Sequence, residues 1–234
     1  LQVGCFTTDQ WFEPCKSITR AVHEAADGLR AAGHEVVPFE PPMSGWDIAR
    51  LYYGQVGAEG NMKSFVDALQ GEKMLKTYGE LRRMSGLLNF VRPPLAWVLE
   101  KILGDPRRAS ILRVTRNGGL STRQYFTLVA DTFDLRSKWE EAFSAAELDA
   151  VIFPPMALPA LPHGASKALT PALTYMFVAN LLHWPAGVVP VTLIRSEEAD
   201  YDIDQLPLNQ RDPTSAAAKK AMKGSTGLPV GVQV

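Results

Sequence analysis

The chain has 234 residues, and its 24 basic and 25 acidic side chains give a formal net charge of −1. This balance argues against nucleic acid as a partner, because nucleic-acid-binding surfaces are strongly basic. The apolar content of 46% is sufficient for a substantial core, which excludes an intrinsically disordered chain.

The cysteines and histidines give little scope for disulfide or metal chemistry. Cys5 and Cys15 are too few for a disulfide scaffold, and they have no metal-ligand spacing with the four histidines. We therefore expect a reducing compartment, no metal and no cofactor. Leu1 opens directly into an apolar run without a basic leader, and Val234 closes inside another, so we expect a segment of a longer protein.

The opening residues have the pattern of a strand, a helix and a second strand. Residues 1–6 form a short apolar run, and residues 34–39 resume strand character after Gly33, which suits the end of a helix. Between them, apolar residues recur every three or four positions: Ile18, Val22, Ala25, Leu29 and Ala32. Two strands joined through a helix are normally parallel, which predicts an α/β fold.

A long helix and a buried strand are predicted further along. Ser121 and Gln124 have the spacing of a capping box, so a helix should begin there and run to about residue 147. Its expected inner face contains Tyr125, Leu128, Thr132, Leu135, Trp139 and Phe143. Residues 149–153, which are apolar after Asp149, then predict a buried strand that Pro154 ends. This strand delivers the chain to a loop where α/β proteins usually place sites.

The last third alternates helices and strands. Thr170 and Pro171 are typical of a helix start, with the threonine accepting from backbone N–H groups, and this helix should run through Asn180. Residues 185–192 are strand-like, and residues 196–212 are a polar loop. A helix should begin at Asp212 and end near Gly224, and residues 228–234 predict the last strand.

The apolar segment 87–103 is too short and too charged to span a bilayer. Its proline pair, Pro93 and Pro94, should split it into two short helices with a bend between them. The segment is fringed by basic residues: Arg82, Arg83, Arg92, Lys101, Arg107, Arg108 and Arg113. Such a pair of helices suits insertion into a membrane interface, and the alternative is a helical hairpin that covers the core.

The histidines do not indicate a Ser-His-Asp hydrolase. No Gly-x-Ser-x-Gly motif occurs, and each histidine has an ordinary structural interpretation, such as the polar side of a helix for His23 and a helix end for His183. A phosphate-binding loop is also absent, since Gly224 is better explained as a helix end.

Several runs together resemble one family of enzymes. The most specific is Pro185-Ala186-Gly187-Val188-Val189-Pro190-Val191-Thr192; the others are residues 1–4, 31–39 and 219–230. In this order they resemble the C-terminal half of members of the amidase signature family that act on fatty acid amides. The resemblance covers almost the whole chain, although residues 45–116 match mainly in character.

The resemblance implies the C-terminal part of the amidase signature fold, a mixed central sheet flanked by helices. One partial domain, residues 1–234, would carry a helical membrane-cap hairpin at residues 85–113. The family hydrolyses amides with a Ser, cis-Ser and Lys triad, in which the lysine acts through the bridging serine as base. The glycine-rich loop that carries both serines does not occur here, and the family's lysine precedes that loop. We therefore expect no catalytic residue in this chain and no activity of this chain alone.

The resemblance also implies substrate and membrane contacts. Thr170, Leu173 and Phe177 fall at acyl-channel positions, with Met176 as a neighbour, and the alternative for all of them is a helix cap plus core contacts. The expected membrane-cap residues are Leu95, Trp97, Val98 and Leu99.

The full-length protein is thus expected to hydrolyse fatty acyl amides or esters. Its expected partners are that substrate and a membrane interface, with a homodimer left open. Its expected location is intracellular, peripheral or monotopic on an internal membrane. A non-catalytic lipid-binding or interaction protein on the same scaffold and a soluble amidase for small amides are the alternatives.

Overall fold

A computed structural model describes residues 1–234 of the chain, apart from the side chains of residues 77, 80 and 81. The chain forms two compact units. The first unit comprises Leu1–Ile48 and Asp134–Val234, and the second comprises Ala49–Phe133. Two helices contribute to both units, α2 (Gly45–Val56) and α7 (Thr122–Ala145).

The first unit is built on a parallel sheet of three strands in the order β2-β1-β3: β1 (Gln2–Cys5), β2 (Glu35–Pro38) and β3 (Ala150–Ile152). Helix α1 (Lys16–Ala31) joins β1 to β2, as the sequence predicts. Gly33 follows the C-cap Ala32 with a φ of 87°, which is accessible to glycine, and the His34 N–H donates to the Leu29 carbonyl at 3.1 Å. This reversal lets the chain return as a parallel strand.

Two further strands form an antiparallel ribbon, β4 (Val188–Leu193) with β5 (Pro229–Gln233). Phe153, just after β3, bridges Gln233 in antiparallel orientation, so parallel and antiparallel pairing occur together. The predicted α/β fold with a mixed sheet is confirmed. In β4 the register shifts between Pro190 and Thr192, which accommodates a proline that cannot donate to the ladder.

Helix α9 (Pro213–Met222) precedes β5. The Asp212 carboxylate accepts a hydrogen bond from the Ser215 N–H at 2.9 Å, which is the N-cap that the sequence predicts. The polar stretch before it contains three short 3₁₀ turns rather than an open loop: Ser196–Glu198, Ile203–Gln205 and Leu208–Gln210.

The core of the first unit contains a cluster of aromatic side chains. Phe6 stacks on Phe153 with ring centroids 4.7 Å apart, and Trp139 of α7 packs near Phe6 and Phe39 at 6.4 and 5.7 Å. Helix α7 begins with the predicted capping box, since the Gln124 N–H donates to the Ser121 hydroxyl at 3.3 Å and the Ser121 N–H to the Gln124 side chain at 3.0 Å.

The predicted inner face of α7 is mostly correct. Leu128, Thr132, Leu135 and Trp139 are buried, and Phe143 is half-buried. Tyr125 is exposed, so its assignment to that face was wrong. It lies in the first turn of the helix.

The second unit is helical. Besides its part of α2 and α7, it contains α3 (Lys63–Ala68), α4 (Lys76–Ser85), α5 (Arg92–Lys101) and α6 (Pro106–Val114). Helices α5 and α6 form a hairpin around a small buried cluster of Ala96, Ala109 and Leu112, against which Leu87 and Leu99 pack.

The predicted bend at the proline pair is wrong. Pro93 and Pro94 lie in the first turn of α5. Backbone N–H groups in a first turn form no hydrogen bond within the helix, so the prolines break none, and a single helix continues to Lys101. The second arm of the hairpin is α6, which begins after Asp105, whose side chain accepts from the Arg108 N–H at 3.1 Å. The two helices of the hairpin occupy residues 92–114, and the assignment of residues 85–113 to a membrane cap stays a prediction.

The predicted basic fringe also needs correction. Arg92 is buried, and its guanidinium donates to the carbonyls of Leu87, Met84 and Ser85 and to the Thr115 hydroxyl, at 2.8–3.0 Å. Arg107 is buried as well. The basic residues that remain exposed around the hairpin are Arg82, Arg83, Lys101, Arg108 and Arg113. Among the described residues, no helix has the length and apolar character needed to cross a membrane.

Candidate functional site

The segment predicted to line an acyl site is a 3₁₀ helix, Thr170–Met176, followed by α8 (Phe177–Leu182). A single α-helix from Thr170 to Asn180 was therefore wrong. Thr170 is also not the N-cap, because the structure places Leu169 at that position. The Thr170 hydroxyl donates backwards, to the carbonyls of Ser166 at 3.3 Å and Lys167 at 3.4 Å, while Pro171 fills the first turn as expected.

The 3₁₀ geometry changes which side chains share a face. With three residues per turn, positions three apart lie above one another, so Thr170, Leu173 and Met176 form one row. This row, the 170/173/176 row, is the open side of the helix: Thr170 and Leu173 are half-buried, and Met176 is 42% exposed. Three of the four predicted acyl-site residues therefore lie together.

Phe177 does not belong to that row. It is the first residue of α8, and its side chain is only 5% exposed within the core of the first unit. Its burial fits the alternative of a core contact at this position. The assignment of all four residues to substrate binding stays a prediction.

The helix is held from its buried sides by a residue that sequence analysis missed. The Asp9 carboxylate is 6% exposed, and it accepts hydrogen bonds from the Trp11 and Phe12 N–H groups, each at 2.9 Å. Its other oxygen accepts from the Thr174 hydroxyl. The Tyr175 hydroxyl accepts from the Asp9 N–H at 3.0 Å and donates to the Phe12 carbonyl at 2.8 Å.

Burial raises the pKa of Asp9, because desolvation disfavours the charged form. The hydrogen bonds from Phe12, Thr174 and Trp11 act in the opposite direction and offset part of that effect. The one signal in the sequence was position: Asp9 follows the carboxyl end of β1, which is where parallel sheets place polar functional residues.

Helix α2 begins beside the same carboxylate. The Gly45 N–H donates to the Asp9 carbonyl at 2.7 Å, and a Cβ at Gly45 would clash with the Asp9 side chain. Glycine is thus required here for close approach of the helix end. Asp9 contacts the start of α2, its own loop and the 3₁₀ helix.

A small apolar cavity lies elsewhere in the first unit. It is lined by residues that include Trp139, Val178, Leu182, Trp184 and Gln233, and none of the four predicted acyl-site residues lines it. The Trp139 indole N–H is buried without a hydrogen-bond partner among the described residues. The sequence-predicted site and this cavity are therefore separate features.

Among the described residues, no group of three or more His, Cys, Asp and Glu side chains is placed to hold a metal ion. His23 is exposed on α1, and His183 ends α8 with its Nε2 2.9 Å from the Arg136 guanidinium. Both positions agree with their structural interpretation.

The second unit carries a different candidate surface, the hairpin surface. It consists of exposed apolar side chains on and around α5: Leu88, Phe90, Leu95, Trp97, Ile102 and Leu103. Phe90 is 75% exposed and Trp97 54%, which is unusual for large apolar groups in such number. Of the predicted membrane-cap residues, Leu95 and Trp97 belong to this surface, Val98 is half-buried, and Leu99 packs inward against the buried cluster.

Comparison with known proteins identifies the scaffold. The family model described as Amidase matches residues 1–234. The chain belongs to the amidase family. Fatty acid amide hydrolase 1 of Caenorhabditis elegans is 31% identical over 244 residues, and the match covers all of this chain and 39% of that protein. Fatty-acid amide hydrolase 1 of Sus scrofa is 31% identical over 233 residues, with the same coverage.

A solved structure agrees with these matches. A fatty acid amide hydrolase has the same fold, with a TM-score of 0.68 and 14% identity over all of this chain and 36% of that one. This amidase chain therefore spans well under half the length of the relatives it matches, and the likeness extends over every one of its residues.

Proposed function

We propose that the full-length protein is a serine amidase that hydrolyses fatty acyl amides, or esters, to a fatty acid and an amine. The observation that carries this proposal is the likeness of the entire chain to two proteins named fatty acid amide hydrolase 1, each at 31% identity. In this proposal the chain supplies one wall of the acyl channel and a membrane cap, while the Ser, cis-Ser and Lys triad lies outside it.

The 170/173/176 row supports the channel wall. Leu173 and Met176 offer flexible apolar surface on the open side of a helix whose other sides are buried. A methylene removed from water contributes about 0.8 kcal/mol, so contact along such a row favours long acyl chains over short ones. Small amides would gain nothing from it, which disfavours a soluble amidase for small polar substrates.

The hairpin surface supports the membrane cap. Trp97 and Phe90 suit the boundary between headgroups and acyl chains, and the exposed Arg82, Arg83 and Arg108 suit anionic lipid headgroups. A substrate with a long acyl chain partitions into membranes, so an enzyme that extracts it benefits from an interfacial surface. We accordingly propose a peripheral or monotopic location on an internal membrane.

The decisive test is activity of the full-length protein on three substrates: a long-chain primary amide, a short-chain primary amide and a small polar amide. We expect hydrolysis of the long-chain amide with the highest kcat/KM, and labelling of one serine by a fluorophosphonate probe. Loss of both on replacing that serine by alanine would assign the nucleophile. Lipid binding without hydrolysis would instead identify a non-catalytic lipid-binding protein, and preference for the small amide would identify a soluble amidase.

A further inference from the structure

We propose that Asp9 is a positioning residue, which fixes the 170/173/176 row against the acyl chain and thereby sets chain-length preference. The inference rests on the proposed function, because it assigns a role to that row. It adds a residue far away in the sequence, which forms hydrogen bonds with the helix that carries three of the predicted acyl-site side chains.

The 3₁₀ helix has little to orient it on its own. It has seven residues, its N-cap Leu169 provides no side-chain hydrogen bond, and 3₁₀ hydrogen bonds have poorer geometry than α-helical ones. Its direction and rotation therefore depend on tertiary contacts. A small rotation about the helix axis would move Leu173 and Met176 together, since they lie in the same row.

Asp9 supplies contacts at two consecutive helix positions. Its carboxylate accepts from the Thr174 hydroxyl, and its N–H donates to the Tyr175 hydroxyl at 3.0 Å. Thr174 and Tyr175 point from adjacent faces of the helix and are 1% and 0% exposed. Two hydrogen bonds from one residue to adjacent faces fix both rotation about the axis and translation along it.

The carboxylate itself is held rigidly. Backbone N–H groups of Trp11 and Phe12 bind one oxygen, and the close approach of Gly45 on α2 limits the space around the other. Because one oxygen of the carboxylate is fixed by these N–H groups, the other oxygen holds the Thr174 hydroxyl in a defined position.

The test compares chain-length preference in full-length variants. Asp9→Ala removes the whole network, and Thr174→Val removes only the hydroxyl while keeping the volume of the side chain. Thr174→Ser keeps the hydroxyl and serves as the conservative rescue. Thr132→Val is the matched control, because Thr132 is also a buried threonine with hydroxyl contacts, to Leu128 and Gln55, on a helix without predicted acyl contacts.

We expect Thr174→Val to lower the ratio of kcat/KM for long over short acyl amides about tenfold, chiefly through a higher KM for the long chain. A folded Asp9→Ala protein should show at least as large a drop in this ratio. Thr174→Ser should retain the wild-type ratio. Thr132→Val should lose thermal stability without changing the ratio. A Thr174→Val protein that loses stability like the control but keeps the ratio would overturn the positioning role. A wild-type protein without any preference for long chains would overturn the proposed function, and the role of Asp9 with it.

Discussion

Arg20 on α1 donates two hydrogen bonds to the two carboxylate oxygens of Glu198, from Nε at 2.6 Å and from its terminal nitrogen at 2.8 Å. The same guanidinium donates to the Thr192 hydroxyl at 3.0 Å and to the Leu193 carbonyl at 2.8 Å, at the end of β4. One arginine thus ties a helix to the ribbon and to the Ser196–Glu198 turn. Two-point pairing of this kind is geometrically specific as well as strong.

This pair predicts a pH dependence of stability. Arg20 lowers the pKa of Glu198 below its ordinary value of 4.5. The carboxylate then contributes stability that is present above pH 4.5 and is lost as the pH falls through the lowered pKa. Glu198→Gln should cost about 1.5–3 kcal/mol at neutral pH, the range for hydrogen bonds to charged groups, and should flatten the acid side of the stability curve.

The control is the exposed neighbour Glu197, which contacts only the adjacent Ser196 hydroxyl in the described hydrogen bonds. Glu197→Gln should leave thermal stability nearly unchanged at every pH. The measurement is thermal unfolding of the full-length protein between acid and neutral pH. If the stability of Glu198→Gln falls at acid pH as steeply as that of the wild type, the pairing argument is refuted.

A second prediction separates Phe177 from the 170/173/176 row. Phe177 is buried, so Phe177→Ala should cost about 3–5 kcal/mol of stability through lost contacts and a cavity. Leu173→Ala and Met176→Ala should cost less, because both positions are partly open, and should shift preference toward shorter acyl chains. Thermal unfolding and kcat/KM for long and short amides measure the two effects. A stable Phe177→Ala protein with altered chain preference would return Phe177 to the substrate site.

The sequence was sufficient to predict those features whose interacting residues lie within a few positions of each other in the chain. The capping box of Ser121 and Gln124, the cap at Asp212 and the helix end at Gly33 each involve residues within a few positions, and each prediction is confirmed. The parallel pairing of β1 with β2 follows from the connecting helix between them.

The wrong predictions came from sequence patterns that are compatible with two different structures. Proline can bend a helix or occupy its first turn, and the pattern around Pro93 does not distinguish these outcomes. A spacing of three keeps residues on one face in both α and 3₁₀ helices, whereas a spacing of four does so only in an α-helix. The departure of Phe177 from the row was therefore not visible until the helix type was known. Asp9 meets Thr174 across 165 positions, and no short-range pattern encodes such a partner.

A third prediction concerns the chain by itself. Residues 1–234 should show no amidase activity, since the glycine-rich serine loop does not occur in the sequence. The isolated chain should also aggregate more readily than the full-length protein, because Val188 and Val189 of β4 are exposed on a strand that pairs only with β5 in the described structure. Amide turnover at enzyme-like rates by this chain, abolished by replacing one internal serine, would contradict the assignment of the triad to the rest of the protein.

The last prediction tests the hairpin surface at a membrane. Trp97 and Leu103 are exposed, and burying each in acyl chains would contribute roughly 1.5–3 kcal/mol. Replacing both with Glu should therefore lower co-sedimentation of the full-length protein with anionic liposomes without unfolding the hairpin. Leu99→Glu is the informative contrast, because Leu99 packs against the buried cluster, so that change should lower thermal stability instead. Unchanged liposome binding of the Trp97→Glu, Leu103→Glu protein, in a form of the protein that lacks any other membrane anchor, would show that these side chains do not enter the lipid.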